Sequence, residues 1–199
     1  MENNNGKTIA LIALFIGVIG LSIGFAALNT NLTINGSAEV QASTWDVHFE
    51  NLSSFSKTGN AAEVTAPTIK ENNGVNSTLI GEYSVTLMTP GDTASYTFDI
   101  KNAGDYNARI STVTIPTPTC NGSGTDAATD AANVCDNLAY TLTYTTSGET
   151  VKVGDTLNSG QTVNVTLKLA YSTGVTADKL PKGDVTISNL QIPITYVQN

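Results

Sequence analysis

The sequence predicts an all-β protein: an antiparallel two-sheet, jelly-roll-like β-sandwich preceded by an N-terminal hydrophobic signal or anchor helix. Three observations lead there. From Leu28 onward, apolar and polar residues alternate with a period of two in segment after segment. Gly, Pro and Asn separate those segments at the spacing of sandwich turns. Charged residues are only 13% of the chain, so the hydroxyls and amides of abundant Thr, Ser and Asn must hydrate the outer strand faces.

The chain has 199 residues and its first stretch is unlike the rest, which leaves enough for one such domain and too little for two. Residues 1–27 are therefore assigned to a signal peptide or membrane anchor, and residues 28–199 to a single β-sandwich domain. Thr8 to Leu28 carries no charge. It exceeds a usual signal core and approaches the roughly 20 residues that cross a bilayer. Gly24 and Ala26 are the small residues that signal peptidase needs at the −3 and −1 positions of a cut between Ala26 and Ala27. Lys7 precedes the apolar run and the next basic residue is Lys57, a bias that directs the amino terminus inward and the remainder outward. Cleavage and retention both export the domain, and an uncleaved segment would hold it to the membrane.

Leu28, Thr30, Leu32, Ile34, Gly36, Ala38 and Val40 then form one face of a long half-buried strand. Because it follows the proposed cut, segment 28–40 is a candidate donor strand, with Leu32, Ile34, Ala38 and Val40 filling alternate pockets of a neighbouring subunit. The alternative is an ordinary first strand of its own domain.

A second strand alternates Trp45, Val47 and Phe49 against Asp46 and His48, placing His48 on the hydrated side with no partner for acid–base work. A shorter one includes Val64 and Ile69 around Pro67. The clearest hairpin runs Leu79–Met88, turns at Thr89-Pro90-Gly91-Asp92 and returns along Thr93–Ile100. Its inward sets are Leu79, Tyr83, Val85 and Leu87 against Tyr96, Phe98 and Ile100. Pro90-Gly91 suits a type II turn, since proline presets φ and glycine accepts the positive φ that follows. Later alternations are Leu138–Tyr144, Val163–Leu169, Val185–Ile187 and Ile192–Tyr196, and the one helix is expected at Asp126–Ala132.

The formal net charge is −8, and Lys and Arg are scattered singly, so no basic patch matches a phosphate backbone and nucleic acid is not an expected partner. With one histidine and no hydrolase, phosphate-loop or zinc-protease motif, no catalytic or metal-site residues are assigned, and no enzyme activity or cofactor is expected. Asp126, Asp130 and Asp136 lack the spacing of a calcium loop and are read as loop solvation and helix capping. Leu180-Pro-Lys-Gly-Asp184 is read as a turn, and Asn-x-Ser/Thr triplets such as Asn31-Leu-Thr33 as products of composition. Cys120 and Cys135 are the only cysteines; in an exported chain they are expected to bond to each other, closing a loop worth roughly 3 kcal/mol.

Three features together resemble the camelysin/TasA-type secreted surface and biofilm-matrix fibre proteins of Gram-positive bacteria. They are the signal segment ending Phe25-Ala26-Ala27, the early Thr44-Trp45-Asp46-Val47, and Thr89-Pro-Gly-Asp-Thr93 followed by Tyr96, Phe98, Ile100, Asn102, Gly104 and Asp105. The last string is the most specific of the three. The resemblance implies a jelly-roll subunit that is cleaved, secreted and polymerised into an extracellular fibre or biofilm matrix by strand exchange with copies of itself. Two other readings stay open: a monomeric cell-surface adhesion module, and a metalloendopeptidase of the kind camelysin is classed as.

Overall fold

The computed structural model describes residues 11–15, 37, 39, 41–72 and 74–199. The chain divides into two units, Met1–Gln41 and Ala42–Asn199. In the first, residues 11–15 are helical, with Leu11, Ile12, Leu14 and Phe15 exposed. Among the described residues no helix is long and apolar enough to cross a membrane. The expected cleavage pair Ala26 and Ala27 and the donor-strand residues Leu32, Ile34, Ala38 and Val40 lie outside the described residues.

The second unit is mostly β, in antiparallel sheets. Its strands are β1 (Val47–Glu50), β2 (Ser56–Thr58), β3 (Ala62–Thr65), β4 (Ile69–Asn72), β5 (Val75–Ile80), β6 (Ser84–Thr86) and β7 (Thr93–Asn102). After them come β8 (Ala108–Val113), β9 (Thr119–Gly122), helix α1 (Ala127–Cys135) and β10 (Leu138–Tyr144). The chain ends with β11 (Thr156–Leu157), β12 (Thr162–Tyr171), a 3-10 turn at Ala177–Lys179, β13 (Val185–Ser188) and β14 (Ile194–Gln198).

The strand β7 organises the fold. Ala94, Tyr96, Phe98, Ile100 and Asn102 are buried while the residues between them are half-buried, which is the period-two pattern of a central strand. It pairs with β12 on one side and with β1 and β2 on the other, in a sheet of order β1-β7-β12-β10. Rows of side chains cross this sheet: Leu142, Leu167 and Tyr96 in one, Tyr144, Val165 and Phe98 in the next. A three-stranded sheet of order β11-β8-β14 supplies the opposing layer. Phe98, Ile100, Leu142 and Val165 pack there with Ala108, Ile110, Val151 and Leu157, making a sandwich-like apolar core. Phe49 meets Phe98 edge to face at 5.4 Å between centroids.

The expected hairpin of Leu79–Met88 with Thr93–Ile100 does not form. Leu79 belongs to β5, paired with β4, whereas Val85 belongs to β6, paired with β3. Both edges of β7 are already taken by β12 and by β1 and β2. The turn itself is present: Asp92 N donates to Thr89 O at 3.1 Å and Gly91 has φ +94°. It is stitched to the end of β12, with Gly91 N donating to Tyr171 O and Tyr171 N donating to Asp92 O, both at 2.9 Å. The expected strand at Trp45 begins instead at Val47, leaving Trp45 outside it and 46% exposed.

Candidate functional site

Two buried polar side chains bracket β7, and both come from the string that carried the family resemblance. Asp92 is 1% exposed. Its Oδ1 accepts from Asn60 N at 2.8 Å and Thr89 Oγ1 at 3.0 Å, and its Oδ2 from Met88 N at 2.7 Å and Thr89 N at 2.9 Å. Burial alone would push this carboxyl up, but those donors outweigh it and hold the group below its ordinary value. Gly59, at φ +71°, leaves the space that Asp92 Oδ1 occupies, and a Cβ there would collide with it.

Asn102, fully buried, donates to Tyr106 O at 2.8 Å and Leu157 O at 2.9 Å and accepts from Gly104 N at 3.1 Å. The turn after it receives the other resembling segment: Ala103 N donates to Asp46 O at 2.8 Å, and Thr44 N and Oγ1 donate to Asp105 Oδ2 at 2.6 and 3.0 Å. A Cβ on Gly104 would press on Asp46 N and Thr44 O. The two strings far apart in sequence thus meet as one polar joint. Their chemistry is that of satisfied backbone, not of a reacting group.

The two long sides of the sandwich differ. On the β10 side the chain closes the gap itself. Val151 N donates to Leu142 O at 3.1 Å, Gly154 N to Ile110 O at 2.9 Å and Ile110 N to Asp155 O at 2.9 Å, so residues 149–157 lace one sheet to the other. On the opposite side the outermost strands are β1 and β14. Between them lies a cleft of about 210 Å³, floored by Val47, Phe49, Ile100, Ile194 and Tyr196, with Trp45, His48, Thr78 and Thr195 at its rim. Two strand edges flanking an apolar floor form a receptive surface for an extended segment, since the edges offer backbone hydrogen bonds and the floor offers side-chain pockets. Burial pushes the Tyr196 phenol up to about 12, helped by the charge of Asp155.

His48 is less isolated than its sequence context indicates. Its Nδ1 lies 2.7 Å from Asp46 Oδ1 and its Nε2 3.7 Å from Glu50 Oε2, while Lys101 Nζ is 3.6 Å from Glu50 Oε2. Alternation along the chain puts Asp46, His48 and Glu50 on one face, a consequence of strand geometry that a search for contiguous motifs overlooks. Among the described residues no group of three His, Cys, Asp or Glu side chains could hold a metal ion.

Cys120 and Cys135 are bonded, with Cα atoms 5.8 Å apart, joining β9 to the last turn of α1. Of the three aspartates nearby, Asp130 departs from its sequence reading. Asp130 is neither solvated nor a cap: it is 2% exposed and its Oδ2 accepts from Lys182 N and Gly183 N, each at 2.9 Å. Asp126 occupies the N-cap position of α1 but makes no side-chain cap bond, pairing instead with Lys182 Nζ at 2.9 Å. Asp136 sits at the C-cap. Comparison with protein-family models, with curated proteins and with solved structures returns no match.

Proposed function

We propose that the chain is an exported structural subunit that assembles with copies of itself into an extracellular fibre or matrix by β-strand exchange. The observation that carries this reading is the apolar cleft between β1 and β14, on the side of the sandwich that residues 149–157 do not lace shut. The proposed occupant is segment 28–40 of a second copy, presenting Leu32, Ile34, Ala38 and Val40 to the floor and its backbone to the two edges. On this reading the domain is a jelly-roll-like relative of the camelysin/TasA-type proteins. Cleavage between Ala26 and Ala27 frees the donor from its membrane tether, and the mature protein resides outside the cell.

The test separates donor from acceptor. In mature protein beginning at Ala27, deletion of residues 28–36 removes the donor, and Ile194→Asp places a charge on the cleft floor, where an unpaired ion costs several kcal/mol. Each variant alone should stay monomeric by light scattering and electron microscopy. Mixed, they should form dimers, because one still supplies a strand and the other an intact cleft. Fibres of normal yield from the deletion would overturn the mechanism. A second reading, a surface module that binds glycans, is favoured by the exposed Trp45 at the cleft rim, since an open indole face can stack on a sugar ring. Binding of cell-wall polysaccharide by a monomer, lost in Trp45→Ala, would support it instead.

A further inference from the structure

The pair β9 and β13 forms a two-stranded sheet apart from both main sheets, with α1 packed on it. This clasp has little apolar substance. In α1 the buried residues are Val134 and the charged Asp130. A nine-residue helix and a two-stranded ribbon are each marginal on their own in water. Polar and covalent ties hold them together. Ser123 N donates to Asp184 O at 2.9 Å, Asp130 collects the two amides of Lys182 and Gly183, and Cys120–Cys135 closes a loop with a sequence separation of 15. Gly122 and Gly183 allow backbones to approach so closely that a Cβ would strike Ala127 O and Ser123 O respectively.

The clasp also continues into the cleft. Between β13 and β14 the chain is pinned by Asn189 Nδ2 donating to Thr117 O at 2.9 Å and by Tyr140 Oη donating to Leu190 O at 2.6 Å. Four residues past Leu190, β14 begins and supplies Ile194 and Tyr196 to the cleft floor.

We propose that the cysteine pair is a redox latch: oxidation closes the β9–α1–β13 clasp, and reduction opens it as a local unit while the sandwich core stays folded. Closure converts two thiols into one disulfide. The two electrons and two protons pass to an oxidant of the disulfide class, whose own S–S bond is cleaved to two thiols. Opening then loosens the Asn189–Leu190 approach to β14, and with it the entry to the acceptor cleft, while β14 itself stays paired with β8. This last consequence rests on the strand-exchange reading; the latch itself does not.

The experiment is hydrogen exchange by mass spectrometry on the full chain in detergent micelles, equilibrated with oxidised glutathione or with dithiothreitol. Reduction should speed exchange of the Ser123, Lys182 and Gly183 amides about 100-fold, with peptides of β7 and β12 changing less than about threefold. The Cys120→Ser, Cys135→Ser variant should reproduce the reduced pattern without reductant. Acceleration spread evenly over every strand overturns the latch, because the bond would then support the whole fold. No acceleration on reduction, with fast exchange only in Asp130→Ala, also overturns it, because the carboxylate alone would hold the clasp. Either result is read without fibres, so failure of assembly and failure of the latch remain distinct.

Discussion

The inner face of the five-stranded sheet is covered in two different ways along its length. Where β8, β11 and β14 lie over it, the fully buried contacts are hydrocarbon, Phe98, Ile100, Leu142 and Val165 against Ile110, Val151 and Leu157, and phenols enter only at the half-buried margin, as Tyr196 and as Tyr144 donating to Asp155 Oδ2 at 2.9 Å. Toward the other end the same strands present Tyr96, Tyr140 and Tyr171. Two of these meet polar partners from shorter segments. Tyr96 Oη donates to Glu63 Oε1 at 2.7 Å, Tyr83 Oη to Tyr140 Oη at 3.0 Å and Tyr140 Oη to Leu190 O at 2.6 Å, with the Tyr83 and Tyr96 rings 5.6 Å apart. The difference teaches which cover each side chain needs. A regular sheet hides its own polar backbone and offers only side chains, so hydrocarbon suits it. An irregular cover exposes carbonyls and a carboxylate, and a phenol can bury its ring there while its hydroxyl still finds a partner.

The largest expected effect tests the hydrocarbon half. Leu142→Ala deletes a side chain only 1% exposed in the middle of that half and should lower unfolding free energy by about 3 kcal/mol or more, read from urea denaturation of the protein. A loss below about 1 kcal/mol would mean the sheets do not pack closely there.

The next effect belongs to the tyrosine half and depends on pH. Burial, then the hydrogen bond and charge of Glu63, push the Tyr96 phenol well above its ordinary value, and burial, then Tyr83, does the same for Tyr140. Raised phenols bind their protons more tightly folded than unfolded. Their contribution is therefore complete below the unfolded value of 10.0 and is lost as pH climbs through the folded values. The urea midpoint should hold steady to about pH 10 and then fall. The Tyr96→Phe, Tyr140→Phe variant starts lower but declines less steeply, and equal slopes would show that these phenols are not the groups responsible.

The smallest effect has the opposite sign. Among the described residues the Tyr171 hydroxyl is buried with no hydrogen-bond partner. Tyr171→Phe removes a desolvated donor that gains nothing, so it should leave stability unchanged or raise it by up to about 1 kcal/mol, whereas Tyr140→Phe should lower it by a similar amount. A loss at both positions in thermal melts would erase the distinction between partnered and unpartnered phenols.

Much of this half-and-half interior is legible in the order of residues along the chain. The alternation Ala94, Tyr96, Phe98, Ile100 marks the buried face of β7, and Tyr140 and Leu142 mark that of β10. The cysteine pair and the Thr89–Asp92 turn are equally plain, because each depends on neighbours in sequence or on there being only one possible partner. By contrast β8 reads weakly, since Ala108 is small and the inward side passes from Ile110 to Val113 while Thr112 is exposed, and β9, Thr-Cys-Asn-Gly, carries almost no apolar pattern. The cleft is invisible too, because its floor joins Phe49 to Ile194 across most of the domain.

By itself, then, the sequence determined that the chain is mostly β, which faces of β7, β10 and β12 are buried and where the Thr89–Asp92 turn falls, though not the face of β5, where Leu79 is exposed and Ile80 packs on the core. Tertiary structure alone decided which strand lies beside which: that Val85 pairs toward Glu63 rather than β7, that Asp92 and Asn102 become buried anchors, and that β1 and β14 are the outermost strands of their sheets, with β5 packed beside β1. The physical reason is that the two kinds of information differ in range. Alternation is a property of consecutive residues, whereas every strand presents the same ladder of N–H and C=O groups, so the choice of partner falls to whichever distant element best covers its apolar face.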